Sequence, residues 1–393
     1  MSNLLFKKSN LHNYLIILLI FVLLYIIYYY QNEKNYYNKP LLENYYQTNP
    51  ITLRFQSTYT SGDIFHEYAM DFVKKVNEMS GGRLKIELLP SGAVVKNFDL
   101  LDAVNKGTLD GGYGVLAYHY GKSPAFALWG SGPAFGMDAN TLLAWHYYGG
   151  GKEILKDIYK SIGITDVVSF LCGPMPTQPL GWFKKPITNP NDLKGLKYRT
   201  VGLAVDMFKE LGATVILLPG GEIVPAMERG LLDGAEFYNP TSDRALGFPN
   251  VSKVCMVQSF HQSSEQFEIL FNKTKYDLLP TDLKAIIKYA TQAFSAEISW
   301  KTIDRYSKDY YEMMMQGVKF YKTPDSILRA QLDAWDKVVA KKSAENPLFK
   351  EVVDSQKTFA QRAEAWQNEY MVDYKIAYNR YFLNKGRDPR KKL

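Results

Sequence analysis

Five polar side chains stand where short apolar segments end: Gln178, Arg199, Glu236, Asn239 and Gln262. Arg199 closes Gly195–Arg199, which reads as a strand. A guanidinium there offers a planar fork of N–H donors that fits a carboxylate. A surface salt bridge is the plainer alternative. Glu236 and Asn239 stand at the exit of the strand-like Asp233–Phe237. Gln178 lies in the proline-framed loop Pro176-Thr177-Gln178-Pro179, and His261-Gln262 follows the segment Val254–Phe260. Together these are oxygen and nitrogen ligands for a small anion, with or without a hard cation. Carboxylate and amide oxygens suit Na⁺ or Ca²⁺ rather than a soft metal.

Bond chemistry has less to rest on. The histidines are His12, His66, His119, His146 and His261, and none sits in an HExxH, HxH or GxSxG setting. Gly112-Tyr113-Gly114 lacks the third glycine of a dinucleotide fingerprint, and there is no P-loop. Cys172 and Cys255 lie in apolar contexts and read as buried, inert thiols. The expectation is a binding protein, not an enzyme, with no catalytic cofactor.

The elements that would position those ligands alternate. Ile51–Gln56, Arg83–Leu89 and Leu109–Val115 read as strands, separated by helices over Asp63–Met79 and Asn97–Asn105. That order predicts a parallel sheet with helices on both faces. A second such unit follows, with strands at Gln178–Phe183, Gly195–Arg199, Thr214–Leu218 and Asp233–Phe237 and helices at Leu203–Leu211 and Glu222–Arg229. From Pro280 the pattern is helical: Leu283–Trp300, Thr302–Met315, Pro324–Lys342, and a last long helix from Leu348 to about Tyr381. Ligands of open α/β sheets bind beyond the carboxyl ends of strands, so two units suggest a cleft that closes by a hinge. Trp129, Phe135, Trp182 and Phe237 are candidates to cover an apolar ligand tail there, or else core residues.

The first fifty residues are separate. Lys7 and Lys8 precede an uncharged run, Tyr14–Tyr30, which exits into tyrosines without a small-residue cleavage site. This favours an uncleaved signal-anchor over a cleaved signal peptide. Glu33–Pro50 reads as a linker, and the chain from Ile51 onward is expected outside the cytoplasm, tethered to the inner membrane. The composition of the 393 residues is globular, with 46% hydrophobic and 22% charged. A net charge of +7, spread along the chain, gives no basis for a nucleic-acid partner.

The segments GTLDGGYGVLAYHYGK (107–122), GPMPTQPLGWFKKP (173–186), DLKGLKYRTVGLA (192–204) and LPGGEIVPAMERGLLDGAEFYNP (218–240) carry a resemblance. So do SGPAFGMDANT (131–141) and FNKTKYDLLP (271–280). The chain resembles the DctP-type solute-binding proteins of TRAP (tripartite ATP-independent periplasmic) transporters, from about residue 51 to 383. The branch it is most similar to binds 2-oxo acids and lactate-type monocarboxylates. The resemblance implies a two-domain, periplasmic-binding-protein-like α/β fold with a ligand cleft between domains and long C-terminal helices. Domain I would hold 51–176 with about 265–300, domain II 177–264, and the helices of 301–393 would pack on these domains or on a partner subunit.

The resemblance also implies roles. Arg199 would clamp the substrate carboxylate, Asn239 would help, and Tyr118 would donate to the substrate. Gln178, Glu236, Gln262 and the Phe237 carbonyl would hold a bridging Na⁺ or Ca²⁺, with Gln178 also beside the substrate. The partners would be a small carboxylate such as pyruvate or lactate, TRAP permease subunits, and a second copy bound through the C-terminal helix. A membrane-tethered ligand-sensing ectodomain without transport is the alternative. The anchor-like segment departs from the family habit of a cleaved signal.

Overall fold

The computed structural model describes residues 16–32 and 49–383. Most of the expected linker and the basic end Lys385–Leu393 lie outside the described residues. Residues 16–32 form a helix that is exposed throughout, so most of the apolar run is helical. Among the described residues no helix is long and apolar enough to cross a membrane.

The rest builds two sheets. The first has the order β2-β1-β3-β10-β4, from β1 (Ile51–Ser57), β2 (Leu84–Leu89), β3 (Gly111–Val115), β4 (Val167–Met175) and β10 (Glu265–Asn272). The second has the order β11-β9-β5-β8-β6-β7, from β5 (Gly181–Phe183), β6 (Lys197–Arg199), β7 (Thr214–Ile216), β8 (Gly234–Ala235), β9 (Val254–Val257) and β11 (Lys319–Lys322). The first sheet is not wholly parallel as expected. β1 runs parallel to β2 and β3, but β10 is antiparallel to both β3 and β4. The chain leaves for the second sheet and returns, and β10 arrives in the opposite direction. Every residue of β10 is buried, as a central strand requires.

Local chemistry explains several boundaries. Asp63 caps the helix Ile64–Met79, accepting from the Phe65 N–H at 2.9 Å. The glycines of β3 make room rather than bind a phosphate. A Cβ at Gly111 would lie 2.1 Å from the Phe55 ring, and one at Gly112 would lie 2.8 Å from Leu100. Cys172 and Cys255 are free and buried, and burial pushes both thiols well above their usual range.

The two helices expected over Leu283–Trp300 and Thr302–Met315 are one, Thr281–Met315. No Gly or Pro interrupts it. It packs on β4 and the Ile64–Met79 helix beside the first sheet, and on the helix Pro240–Leu246 beside the second. The division at residue 301 therefore falls inside an element shared by both sheets. The helix Asp325–Glu345 packs on the helix Ala204–Glu210, while Pro347–Tyr370 packs on Ala139–Tyr148 and Gly151–Ser161. The last long helix stops at Tyr370 rather than near Tyr381, and the chain restarts at Tyr374 behind the cap Asp373.

Candidate functional site

Two chain crossings carry the amides. Gln178 lies between β4 and β5, and Gln262 between β9 and β10. The Gln178 N–H donates to the Gln262 carbonyl at 3.1 Å, so the crossings run side by side. Both residues are buried. β9 ends at Val257, three residues short of the expected Phe260, because Gln258 turns to a positive φ of 75°.

Strands β6 and β8 carry the charges. Their parallel register sets Arg199 opposite Ala235, next to Glu236. β8 stops at Ala235, so Glu236 follows the strand instead of lying within Asp233–Phe237. Arg199 donates through Nε to the Leu218 carbonyl at 2.9 Å. Its Nη1 reaches the Glu236 carbonyl at 3.1 Å and Oε1 at 2.9 Å. Those bonds leave Nη2 for a ligand. Both members of the pair are at most 1% exposed. The Phe237 ring lies under the guanidinium, 5.9 Å from its carbon.

Three buried oxygens in this group have no hydrogen-bond partner: Gln178 Oε1, Glu236 Oε2 and Gln262 Oε1. An unpaired buried acceptor costs about 1–3 kcal/mol. Amide and carboxylate oxygens of this kind fit Na⁺ or Ca²⁺. The electrostatics agree. Burial pushes the Glu236 carboxyl up to about 7, against the pull of Arg199. A second buried carboxyl, Glu265, is pushed well above its usual range by burial, and Glu236 adds to that. Arg199 is therefore already paired with one buried carboxyl before any anionic ligand arrives. A bound cation would supply the missing positive charge.

Tyr118 faces the same centre. Its hydroxyl is pushed up to about 12 by burial, and it feels Arg199, Asp63, Glu236 and Glu265. Tyr118 and Phe237 line a cavity of about 410 Å³ between residues of the first sheet's side, such as Tyr59 and Asp63, and Gly220 and Gly221 on the second. Gln178 and Asn239 line another cavity, of about 550 Å³. Arg199, Glu236 and Gln262 line neither. All three are buried.

Asn239 has a structural duty. Its Oδ1 caps the helix Pro240–Leu246, accepting from Thr241 and Ser242, and its Nδ2 donates to Ser242 Oγ at 3.2 Å. Ser242 Oγ then donates to Asp63 Oδ1 at 3.1 Å, across to the first sheet's side.

Trp129, Phe135 and Trp182 do not line the cavity that holds Tyr118 and Phe237. Trp129 is in the core, donating to His146 Nδ1 at 3.1 Å. Phe135 lies under Lys357 of the C-terminal helices. Trp182 donates to Asp243 at 2.8 Å and lines the 550 Å³ cavity. Sequence reasoning missed Glu265 and Asp63. Glu265 opens the unread strand β10, and its signal was an acid just ahead of FEILF.

The bacterial extracellular solute-binding protein family 7 (DctP) matches residues 55–346. The chain belongs to this family. A monocarboxylate 2-oxoacid-binding periplasmic protein of Nostoc sp. is 32% identical over 305 residues, 77% of this chain and 82% of the relative. A TRAP periplasmic solute-binding protein of Colwellia psychrerythraea, solved with calcium and pyruvate, is 28% identical with a TM-score of 0.77. Its counterpart from Pseudoalteromonas atlantica, solved with sodium and pyruvate, has the same identity and TM-score. Each comparison covers 85% of this chain and 100% of that one. The fold is that of TRAP periplasmic binding proteins, in which a hard cation accompanies the ligand in these two relatives. The family and fold are those of transport proteins, and no catalytic cofactor is indicated.

Proposed function

We propose that this protein captures a small 2-oxo or 2-hydroxy monocarboxylate together with Na⁺ or Ca²⁺ outside the cytoplasm and delivers it to a TRAP-type permease. The observation that carries this is the set of three unpartnered buried oxygens on Gln178, Glu236 and Gln262, together with the buried Arg199–Glu236 pair. Arg199 binds one end of the carboxylate through Nη2. Gln178, Glu236 and Gln262 would hold the cation, with the Phe237 carbonyl as a further donor, and the cation would supply positive charge beside the carboxylate. Tyr118 donates to the substrate. Asn239 orders the turn after Glu236 and borders the site. Calorimetric titration with pyruvate and lactate tests the reading. Saturable one-to-one binding supports it, and no heat with any small monocarboxylate overturns it.

Transport is preferred to a sensing ectodomain because the family is one of transport proteins. The domains divide in this reading at the crossings near 176 and 264, with the helix Thr281–Met315 spanning both. The tether remains part of the proposal, supported by the exposed apolar helix over 16–32. A chain starting at Ile51 is expected to be soluble and to bind as the full chain does. Aggregation of that shorter chain would show that the N-terminal segment belongs to the fold. Pairing through the C-terminal helices is supported by exposed Trp366, Tyr370 and Ile376.

A further inference from the structure

Glu265 is buried, and each of its oxygens accepts a hydrogen bond. Oε1 accepts from the Gln266 N–H at 3.0 Å, and Oε2 accepts from Gln262 Nε2 at 2.7 Å. Gln262 is the reverse case, because its Nε2 is engaged while its Oε1 has no partner. A primary amide can present either end, and only its oxygen serves a cation. Glu265 holds the Nε2 end of the amide, so Oε1 turns the other way.

The carboxyl group is in turn seated against backbone. A Cβ at Gly130 would lie 2.1 Å from Glu265 Oε1, so the side chain packs directly on that glycine. The next side chain, Gln266, is anchored by Nε2 donating to the Ala139 carbonyl at 2.6 Å. The groups near Glu265 are Glu236, Tyr59, Tyr118 and Tyr238.

We propose that Glu265 is a positioning residue for the cation, holding the Gln262 amide so that its oxygen faces the metal. Outer partners that orient metal ligands typically contribute about 10–100-fold to affinity. The proposal rests on the reading of Gln178, Glu236 and Gln262 as cation ligands. Gly130 and Glu265 thereby form a seat and a hook for one ligand.

The test measures the Ca²⁺ concentration that half-restores pyruvate binding to the metal-stripped, Na⁺-free protein. Glu265→Ala is expected to raise it about 10–100-fold, and saturating Ca²⁺ should return pyruvate affinity toward the native value. Glu265→Gln keeps an acceptor for Gln262 Nε2 and is expected to restore most of the loss. Gly130→Ala leaves Glu265 in the sequence but pushes it from its seat, and should raise the concentration as Glu265→Ala does. A merely structural role would lower the melting temperature without moving the Ca²⁺ requirement. Unchanged half-restoring Ca²⁺ in folded Glu265→Ala overturns the proposal, and in folded Gly130→Ala it does so even where Glu265→Ala fails to fold. A native protein that binds pyruvate equally with or without cation would instead overturn the reading of the site itself.

Discussion

Arg199→Ala is expected to abolish most of the carboxylate affinity. Truncating one partner of a buried, hydrogen-bonded charge pair costs about 2–5 kcal/mol. At 1.4 kcal/mol per tenfold, this is a loss of about 30- to 3,000-fold in affinity. The variant also strips Glu236 of its counter-charge, and an uncompensated buried charge costs about 3–5 kcal/mol of stability. Affinity is therefore read on protein shown to be folded by circular dichroism. Arg199→Lys is the complementary variant. It keeps a positive charge but cannot hold the Leu218 carbonyl, the Glu236 carbonyl and Glu236 Oε1 while offering a further donor to a ligand. Its affinity should fall between the other two. Native affinity in folded Arg199→Ala would remove the arginine from the site.

Glu236→Gln is expected to act through the cation. The substitution keeps an oxygen for Arg199 but removes the negative charge that balances it. A charged hydrogen-bonding partner contributes about 1.5–3 kcal/mol. The cation concentration for half-saturation should therefore rise about 10- to 100-fold. The pH response gives an independent sign. Burial holds the Glu236 carboxyl at about 7, so a proton and the cation compete for it below that pH. Cation affinity should fall as pH drops from 8 to 6, by at most about tenfold per pH unit contributed by this group. Glu236→Gln should flatten that slope. A native-like cation requirement in the variant would exclude a ligand role.

Much of the fold is legible because its elements obey simple periods. β1 and the helix Ile64–Met79 show alternation and a clear cap, and the glycines that end helices stand where a left-handed turn is needed. β10 escaped because a strand buried on both faces has no alternation to read. FEILF follows a polar crossing and precedes a helix, with little to mark it as the centre of a sheet. The short edge strand β11, KFYK, escaped for a different reason, since most of its residues are exposed and its partner β9 is distant in sequence. The long helix Thr281–Met315 looked like two because exposed Trp300 and Ile303 break the apolar stripe.

The site divides in the same way. Arg199, Glu236, Gln178 and Gln262 stand out because polar groups at strand ends and in crossings have no core-forming reason to be there. The pairing of Gln178 with Gln262 is tertiary and cannot be read from spacing. Nor can the contact between Glu265 and Gln262, although only three positions separate them, because it depends on a turn between two sheets. Asn239 shows the opposite limit. An Asn before Pro is also a helix-cap signal, and the structure gives its oxygen that work.

The central claim is that carboxylate and cation bind as a coupled pair. Thermal melting of the purified protein tests it most directly, with pyruvate or lactate present or absent, in Na⁺-free buffer with Ca²⁺ or chelator, and separately with Na⁺. A ligand at 100 times its dissociation constant stabilises the folded state by about 2.7 kcal/mol. Coupling is reciprocal, so carboxylate and cation together should raise the melting temperature by more than the sum of their separate shifts. Equal carboxylate shifts with and without Na⁺ or Ca²⁺ would contradict a bridging cation, and no shift with any small carboxylate would contradict the ligand assignment as a whole.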